Sequence, residues 1–209
     1  MEVLAVRDLT FGYKDCPVFE NFSCSINKGD FCLIEGINGA GKTTLIKCLT
    51  ALINQGSCVY YRGKEISKNK HLLSNLSYVM SEDTLYDYLT VEENISFYRS
   101  LFGEKDSFSE KVYSTLDDLD CLQYRNFLIK NLSQGTRSKI YMAIMLAKNA
   151  DVLLLDEPFT ALDQTSQEYF CRLIQKRNCE EGITVVLVTH IAQFKMLSTT
   201  KIEITKREV

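Results

Sequence analysis

The run Gly36-Ile37-Asn38-Gly39-Ala40-Gly41-Lys42-Thr43 constrains this chain more than any other stretch. It matches G-x-x-x-x-G-K-[ST] at every position. Glycines at 36, 39 and 41 let the backbone curl so that successive N–H groups point inward at phosphate oxygens. A helix that starts directly after such a loop adds the positive end of its dipole. The pattern therefore requires a buried strand before it and a helix after it. Both are legible: Phe31 to Ile34 is a short continuous apolar run, and the segment from about Lys42 to Leu52 reads as a helix. In this frame Lys42 reaches the β- and γ-phosphates of a nucleotide, and Thr43 offers its hydroxyl to Mg²⁺.

The same buried-strand pattern returns at Val152 to Leu155 and at Thr184 to Val188. The first of these ends in Asp156-Glu157, which places two carboxylates at the C-terminal edge of a strand, where open α/β sheets bind ligands. Asp156 is the expected Mg²⁺ partner, and Glu157 is expected to orient or deprotonate an attacking water. The second ends in Thr189-His190, so His190 stands at another strand's C-terminal edge, where it could meet a γ-phosphate. The other histidine, His71, falls in a basic stretch with Lys64, Lys68 and Lys70 and reads as a solvated loop.

Around these elements the chain divides by periodicity. Val3 to Thr10 and Val18 to Ile26 alternate loosely and read as antiparallel strands, with Gly12 and Lys28-Gly29-Asp30 as turns. Gly56 ends the first βα unit, Ser57 to Tyr61 reads as a strand, and Leu76 to Met80 as another. The middle is helical. Thr90-Val91-Glu92-Glu93 is a capping box opening a helix to about Phe102, stopped by Gly103. Ser107 to Glu110 reads as a second capping box, opening a helix to about Leu119, and Ser133 starts a third, through about Lys148. A helix from about Gln164 to Cys179 ends at Gly182, and a small helix and a strand at Lys201 to Thr205 follow. The fold class is α/β: a P-loop core with a mainly parallel sheet, an N-terminal antiparallel β-subdomain, and a helical insertion over about residues 82 to 134. The whole of 1–209 reads as one domain.

Composition bounds the partners. The net charge of −3 argues against a nucleic-acid binder, which carries a basic footprint. Eight scattered cysteines form no CxxC pair, so metal-ligand spacing is missing; Cys32, inside Phe31-Cys32-Leu33-Ile34, behaves as a small hydrophobe. Met1-Glu2-Val3-Leu4 has no basic start and no long apolar core, so no signal peptide is expected. No apolar stretch reaches the roughly 18 residues that span a bilayer, and any membrane role needs a partner chain.

Leu132-Ser133-Gln134-Gly135-Thr136, lying between the P-loop and Asp156-Glu157, together with Ala161-Leu162-Asp163 and His190, resembles the signature set of ATP-binding cassettes of ABC transporters. The resemblance runs from Val3 to about His190, with five motifs in the family's order. It implies ATP and Mg²⁺ as cofactors. Tyr13 would stack on adenine. Asn38, Gly39, Ala40, Gly41, Lys42, Thr43 and Thr44 would hold the phosphates. Asp156, Thr43 and Ser81 would serve the metal, and Glu157 and His190 catalysis. Asp163 takes the D-loop position. Ser133 and Gly135 would contact the γ-phosphate held by an opposite subunit, so a second nucleotide-binding domain, identical or not, is an expected partner. A permease on a separate chain is the other, placing the protein in the cytoplasm on the inner face of the cell membrane. Its docking groove would fall among Leu85, Tyr86, Tyr88, Leu89, Phe97 and Tyr98. The short segment Ile191 to Val209 leaves no room for an appended regulatory domain, which points to an exporter-like (ABC-2-type) system.

Two segments depart from the family pattern. Ser81, in Tyr78-Val79-Met80-Ser81, stands where the family usually has glutamine, and its shorter reach leaves open a water-mediated contact or a substitute such as Glu82. In the signature, Gln134 replaces a glycine and Thr136 the final glutamine. A weakened regulatory cassette, paired with a more active one, is therefore an alternative reading. A soluble ABC ATPase acting on ribosomes or DNA is another, opposed by the acidic charge and the single short cassette.

Overall fold

A computed structural model describes residues 1–14, 16–53 and 58–205; the expected ends at Gly56 and Ser57 lie outside these. Nine strands are described: β1 (Glu2–Tyr13), β2 (Cys16–Asn27), β3 (Phe31–Glu35), β4 (Val59–Tyr61), β5 (Lys64–Glu65), β6 (Leu76–Val79), β7 (Val152–Asp156), β8 (Thr184–Val188) and β9 (Thr200–Glu203). The helices are α1 (Lys42–Leu49), α2 (Val91–Phe102), α3 (Asp106–Asp118), α4 (Gln134–Ala147), α5 (Gln164–Glu181) and α6 (Ala192–Leu197).

The strands form two sheets. One is antiparallel in the order β2-β1-β4-β5; the other is wholly parallel in the order β6-β7-β8-β3-β9. Why the parallel strands read as continuous apolar runs is clear from their packing. Leu153, Leu155, Val185, Leu187, Phe31 and Leu33 face a core shared with α2 to α5, while Val152, Leu154, Val186, Val188, Cys32 and Ile34 face α1 and the antiparallel sheet. Both faces are covered, so the strands are mostly apolar and the few buried polar side chains, such as Ser77, Asp156 and Thr184, stand at strand ends or are hydrogen-bonded. All five residues of β7 and all five of β8 are buried. Each such leucine or isoleucine contributes about 1.5–3 kcal/mol. Cys32 and Cys48 sit in the second core, where burial pushes both thiols up to about 12.

The order also sets up the site. Asp156 is in register with Val188 of β8, and Leu187 with Leu33 of β3. The C-terminal ends of β7, β8 and β3 therefore emerge side by side, which is where a doubly covered parallel sheet binds its ligands.

Helices α2 and α3 fill the stretch between β6 and β7, and α4 returns to the sheet, where Ser77 Oγ donates to the carbonyl of Met145 at 2.8 Å. Thr90 forms its capping box as expected: its hydroxyl accepts from Glu93 N, Glu93 returns to Thr90 N, and Gly103 ends α2 in the left-handed region. Ser107 to Glu110 does not form one. Helix α3 starts two residues earlier, with Lys105 at its N-cap and Asp106 in its first turn, where the carboxylate favours the positive end of the dipole and pairs with Arg99. Two further expectations are corrected. Helix α1 stops at Leu49, not Leu52, because Thr50 Oγ1 donates back to the carbonyls of Ile46 (3.0 Å) and Lys47 (3.2 Å) and Ala51 turns to φ 54°. Gly12 is not a turn. It lies inside β1 opposite Pro17, and a Cβ there would stand 2.7 Å from the Cys16 carbonyl oxygen.

Candidate functional site

The loop after β3 is shaped by two close approaches. A Cβ on Gly36 would lie 2.5 Å from the Ile204 carbonyl oxygen, and one on Gly41 2.6 Å from Val18 Cγ1. Gly41 also has φ 108°, a left-handed conformation that a side chain rarely adopts. Ala40, buried at 4 % exposure, closes the turn by donating its N–H to the Ile37 carbonyl at 3.1 Å. Gly41 is the N-cap of α1 and brings no side-chain acceptor, so the first amides of the helix stay available to an anion. Lys42 bends back over the loop; its Nζ donates to the carbonyls of Gly36 (2.7 Å) and Ile37 (3.3 Å).

Opposite the loop stand the ends of β7 and β8. Thr43 Oγ1 donates to Asp156 Oδ1 at 3.1 Å. Burial raises the Asp156 pKa, against the lowering effects of the Thr43 hydroxyl and the charges of Lys47 and Lys42. Glu157 holds φ 48°, and its N–H donates to the Val188 carbonyl at 2.9 Å. Burial raises its pKa as well, against His190 and Lys42. His190 Nε2 comes within 3.0 Å of Glu157 Oε1, yet that buried oxygen has no aligned hydrogen-bond donor. A carboxylate that is partly desolvated, without a hydrogen-bond donor on one oxygen and close to the phosphate loop is suited to take a proton from water.

These residues enclose a cleft of about 640 Å³. Tyr13, Asn38, Gly39, Gly41, Lys42, Thr43, Thr44, Glu157 and His190 line it, as do Cys16, Val18, Thr160 and Val188. Tyr13 stands at the mouth, half exposed, edge-on to Phe11 at 5.1 Å between ring centres. Val18 and Thr160 carry no motif and were invisible in the sequence; Thr160 follows Glu157 by three residues and donates its hydroxyl to the Glu157 carbonyl at 3.0 Å.

Ser81 is not brought in. It is exposed, outside the cleft, and no hydrogen bond joins it to Thr43 or Asp156. The nearer side chain is Tyr78, on β6 beside β7, whose phenol is pushed up by burial and by the charge of Asp156.

Ser133, Gly135 and Asp163 form a second cluster apart from the cleft. Ser133 caps α4, accepting the N–H of Thr136 at 3.2 Å. A Cβ on Gly135 would stand 3.4 Å from the Ala161 carbonyl oxygen, so the loop before α5 rests on the start of α4. Asp163 caps α5 through Ser166 and pairs with Lys139 at 2.9 Å. Lys139 and the Ser166 donors hold its carboxyl at about 2. The tie through Lys139 was not anticipated.

Of the aromatic stretch after β6, Leu85 and Tyr98 are core residues, and Phe97 packs against the same core. Tyr86 (49 %) and Tyr88 (79 %) are exposed, with Lys130 Nζ 4.5 Å from the Tyr88 ring centre. No helix among the described residues is long and apolar enough to cross a membrane.

Metal fit follows from donor chemistry. Thr43 and Asp156 present hard oxygens side by side, but among the described residues no group of three or more His, Cys, Asp and Glu gathers to cage an ion. That suits Mg²⁺, which takes one or two protein oxygens and completes its shell with phosphates and water.

The family model described as ABC transporter matches residues 19–160. A probable metal transport system ATP-binding protein of Thermotoga maritima is 34% identical over 192 residues, covering 91% of this chain and 75% of its own. A probable ABC transporter ATP-binding protein p29 of Mycoplasma pneumoniae is 28% identical over 207 residues, covering 93% and 84%. Among solved structures, a dimeric ATP-binding cassette in a post-hydrolysis state with ADP and Pi superposes with a TM-score of 0.83 at 22% identity, over 98% of this chain and 97% of that one.

Proposed function

The chain belongs to the ABC transporter family as an ATP-binding, ATP-hydrolysing cassette, and from that premise we propose how its own residues do the work. ATP lies in the cleft with its base against Tyr13 and its phosphates on the amides of Asn38 to Thr44. Lys42 leaves the Gly36 and Ile37 carbonyls for the β- and γ-phosphates. Mg²⁺, held by Thr43, Asp156 and the phosphates, would neutralise charge that develops on the leaving group. Glu157 takes the proton of the attacking water, and His190 faces the γ-phosphate beside it. Ser81 contributes at most through water.

One observation carries the larger reading. Ser133, Gly135 and Asp163 lie together on a surface outside their own cleft. A chain with its signature apart from its own nucleotide presents half of two sites. Head-to-tail pairing with a second cassette places Ser133 and Gly135 on the partner's ATP. The γ-phosphate then favours the closed pair, and hydrolysis removes those contacts and reopens it. The helical region at about 82–134 serves as a subdomain of one cassette, and Tyr86 and Tyr88 offer the docking surface for a separate membrane permease. The T. maritima relative carries the name of a metal transport system, and several others are named as import proteins. An importer is thus as compatible as an exporter-like system.

The test is affinity purification from detergent-solubilised native membranes with mass spectrometry of what accompanies the chain. A stoichiometric multi-span protein supports the transporter subunit. Soluble partners alone, or none, support the soluble ATPase reading instead.

A further inference from the structure

We propose that Thr136 is a positioning residue that sets the direction in which Ser133 donates its proton; this rests on the reading that Ser133 meets the ATP of a second cassette. Ser133 is exposed at the start of α4, and its Oγ accepts the Thr136 N–H at 3.2 Å. Thr136 Oγ1 lies 2.9 Å from the same Ser133 Oγ. A hydroxyl has one proton and two acceptor positions. The pair therefore holds two protons, of which one lies between the oxygens and one points away.

Which oxygen donates inward decides what an arriving ligand meets. If Ser133 donates to Thr136, Ser133 turns a lone pair outward, which repels an anion. If Thr136 donates to Ser133, both acceptor positions of Ser133 are filled by Thr136, and its own proton is left for the ligand. A phosphate oxygen selects the second arrangement. The chain then runs from the Thr136 hydroxyl to the Ser133 hydroxyl to the phosphate, and each bond polarises the next. The first amides of α4, at Gln134 and Gly135, have no intrahelical acceptor, and the dipole there favours the same negative ligand.

The experiment uses the full chain in a Glu157→Gln background, where ATP is held without turnover. ATP-driven self-association is followed by light scattering, alongside MgATP affinity at low chain concentration and the melting temperature without nucleotide. Thr136→Val keeps the side-chain volume and the backbone N–H that caps α4 but deletes the hydroxyl. The expected result is self-association weakened about 3–10-fold, the scale of one hydrogen bond between neutral groups. Low-concentration ATP affinity and melting temperature stay unchanged, and Thr136→Ser restores association. Ser133→Ala is the reference. Association that falls with Ser133→Ala but not with Thr136→Val overturns the inference alone. A loss in Thr136→Val that tracks a lower melting temperature and is not restored by serine assigns Thr136 a structural role and also overturns it. No ATP-driven association, or association indifferent to Ser133→Ala, overturns pairing between copies of this chain and this inference with it.

Discussion

Thr43 Oγ1 and Asp156 Oδ1 meet at 3.1 Å across 113 positions of sequence, one at the start of α1 and the other at the end of β7. The contact joins the phosphate loop to the acidic strand end, and it is the pair of oxygens an ion bound to nucleotide would share. Thr43→Val keeps the shape and removes the oxygen. We expect ATP affinity measured without Mg²⁺ to hold, and the gain on adding Mg²⁺ to shrink by about tenfold, the order of one hydrogen bond to a charged group. Titrations with and without Mg²⁺ check this; an unchanged gain removes Thr43 from the metal site.

Among the described residues Lys42 Nζ donates to carbonyls of its own loop, Gly36 and Ile37, so its loss leaves little of the fold unsupported. Lys42→Ala is expected to lower ATP affinity by roughly 10–100-fold, because the charge-assisted bonds to phosphate are worth about 1.5–3 kcal/mol. Isothermal titration reads this directly. Equal affinity in variant and parent contradicts the phosphate role of the loop.

Glu157 gives a pH prediction with a definite sign. Burial raises its pKa above the usual 4.5, so between the unfolded and folded values the native state binds more protons than the unfolded chain. Its contribution to stability therefore falls as pH rises through that window. Asp156 acts in the same direction. Glu157→Gln, which cannot ionise, should melt higher than the parent at neutral pH without nucleotide, and the gap should close toward pH 4. A change of about 1 kcal/mol moves the melting point of a chain this size by roughly 2–4 °C. A gap that is constant with pH, or that widens in acid, contradicts the burial argument.

Ser81→Gln lengthens an exposed side chain in the bend just after β6, outside the cleft. We expect it to raise or retune kcat with ATP affinity unchanged, since glutamine would bring an oxygen toward the metal that serine does not. Steady-state kinetics decide; identical kcat and KM show that this position does not limit the rate.

Much of this arrangement was legible in the sequence, for reasons that differ by element. The strands β3, β7 and β8 were readable because helices and the second sheet cover both faces, leaving unbroken apolar runs. Thr90 and Glu93 announced α2 because both halves of a capping box were present and form. The same pattern at Ser107 and Glu110 misled, because Asp106 already occupies the first turn and starts α3 earlier. Gly12 looked like a turn, but its role is to let β1 approach the Cys16 carbonyl. The cleft wall at Val18 and Thr160, and the tie of Lys139 to Asp163, depend on how distant segments fold together, which no local spacing encodes.

We propose that Glu157, placed beside the phosphate loop by the register of β7 with β8, takes the proton of the attacking water. Single-turnover hydrolysis of ATP by Glu157→Gln, set beside its equilibrium ATP affinity, tests it most directly. With Glu157 as the base, ATP binding is unchanged or tighter in the variant and the hydrolysis step is slowed about 10²–10⁴-fold, the range for loss of a general base. Hydrolysis at the parent rate, or binding lost together with hydrolysis, contradicts it.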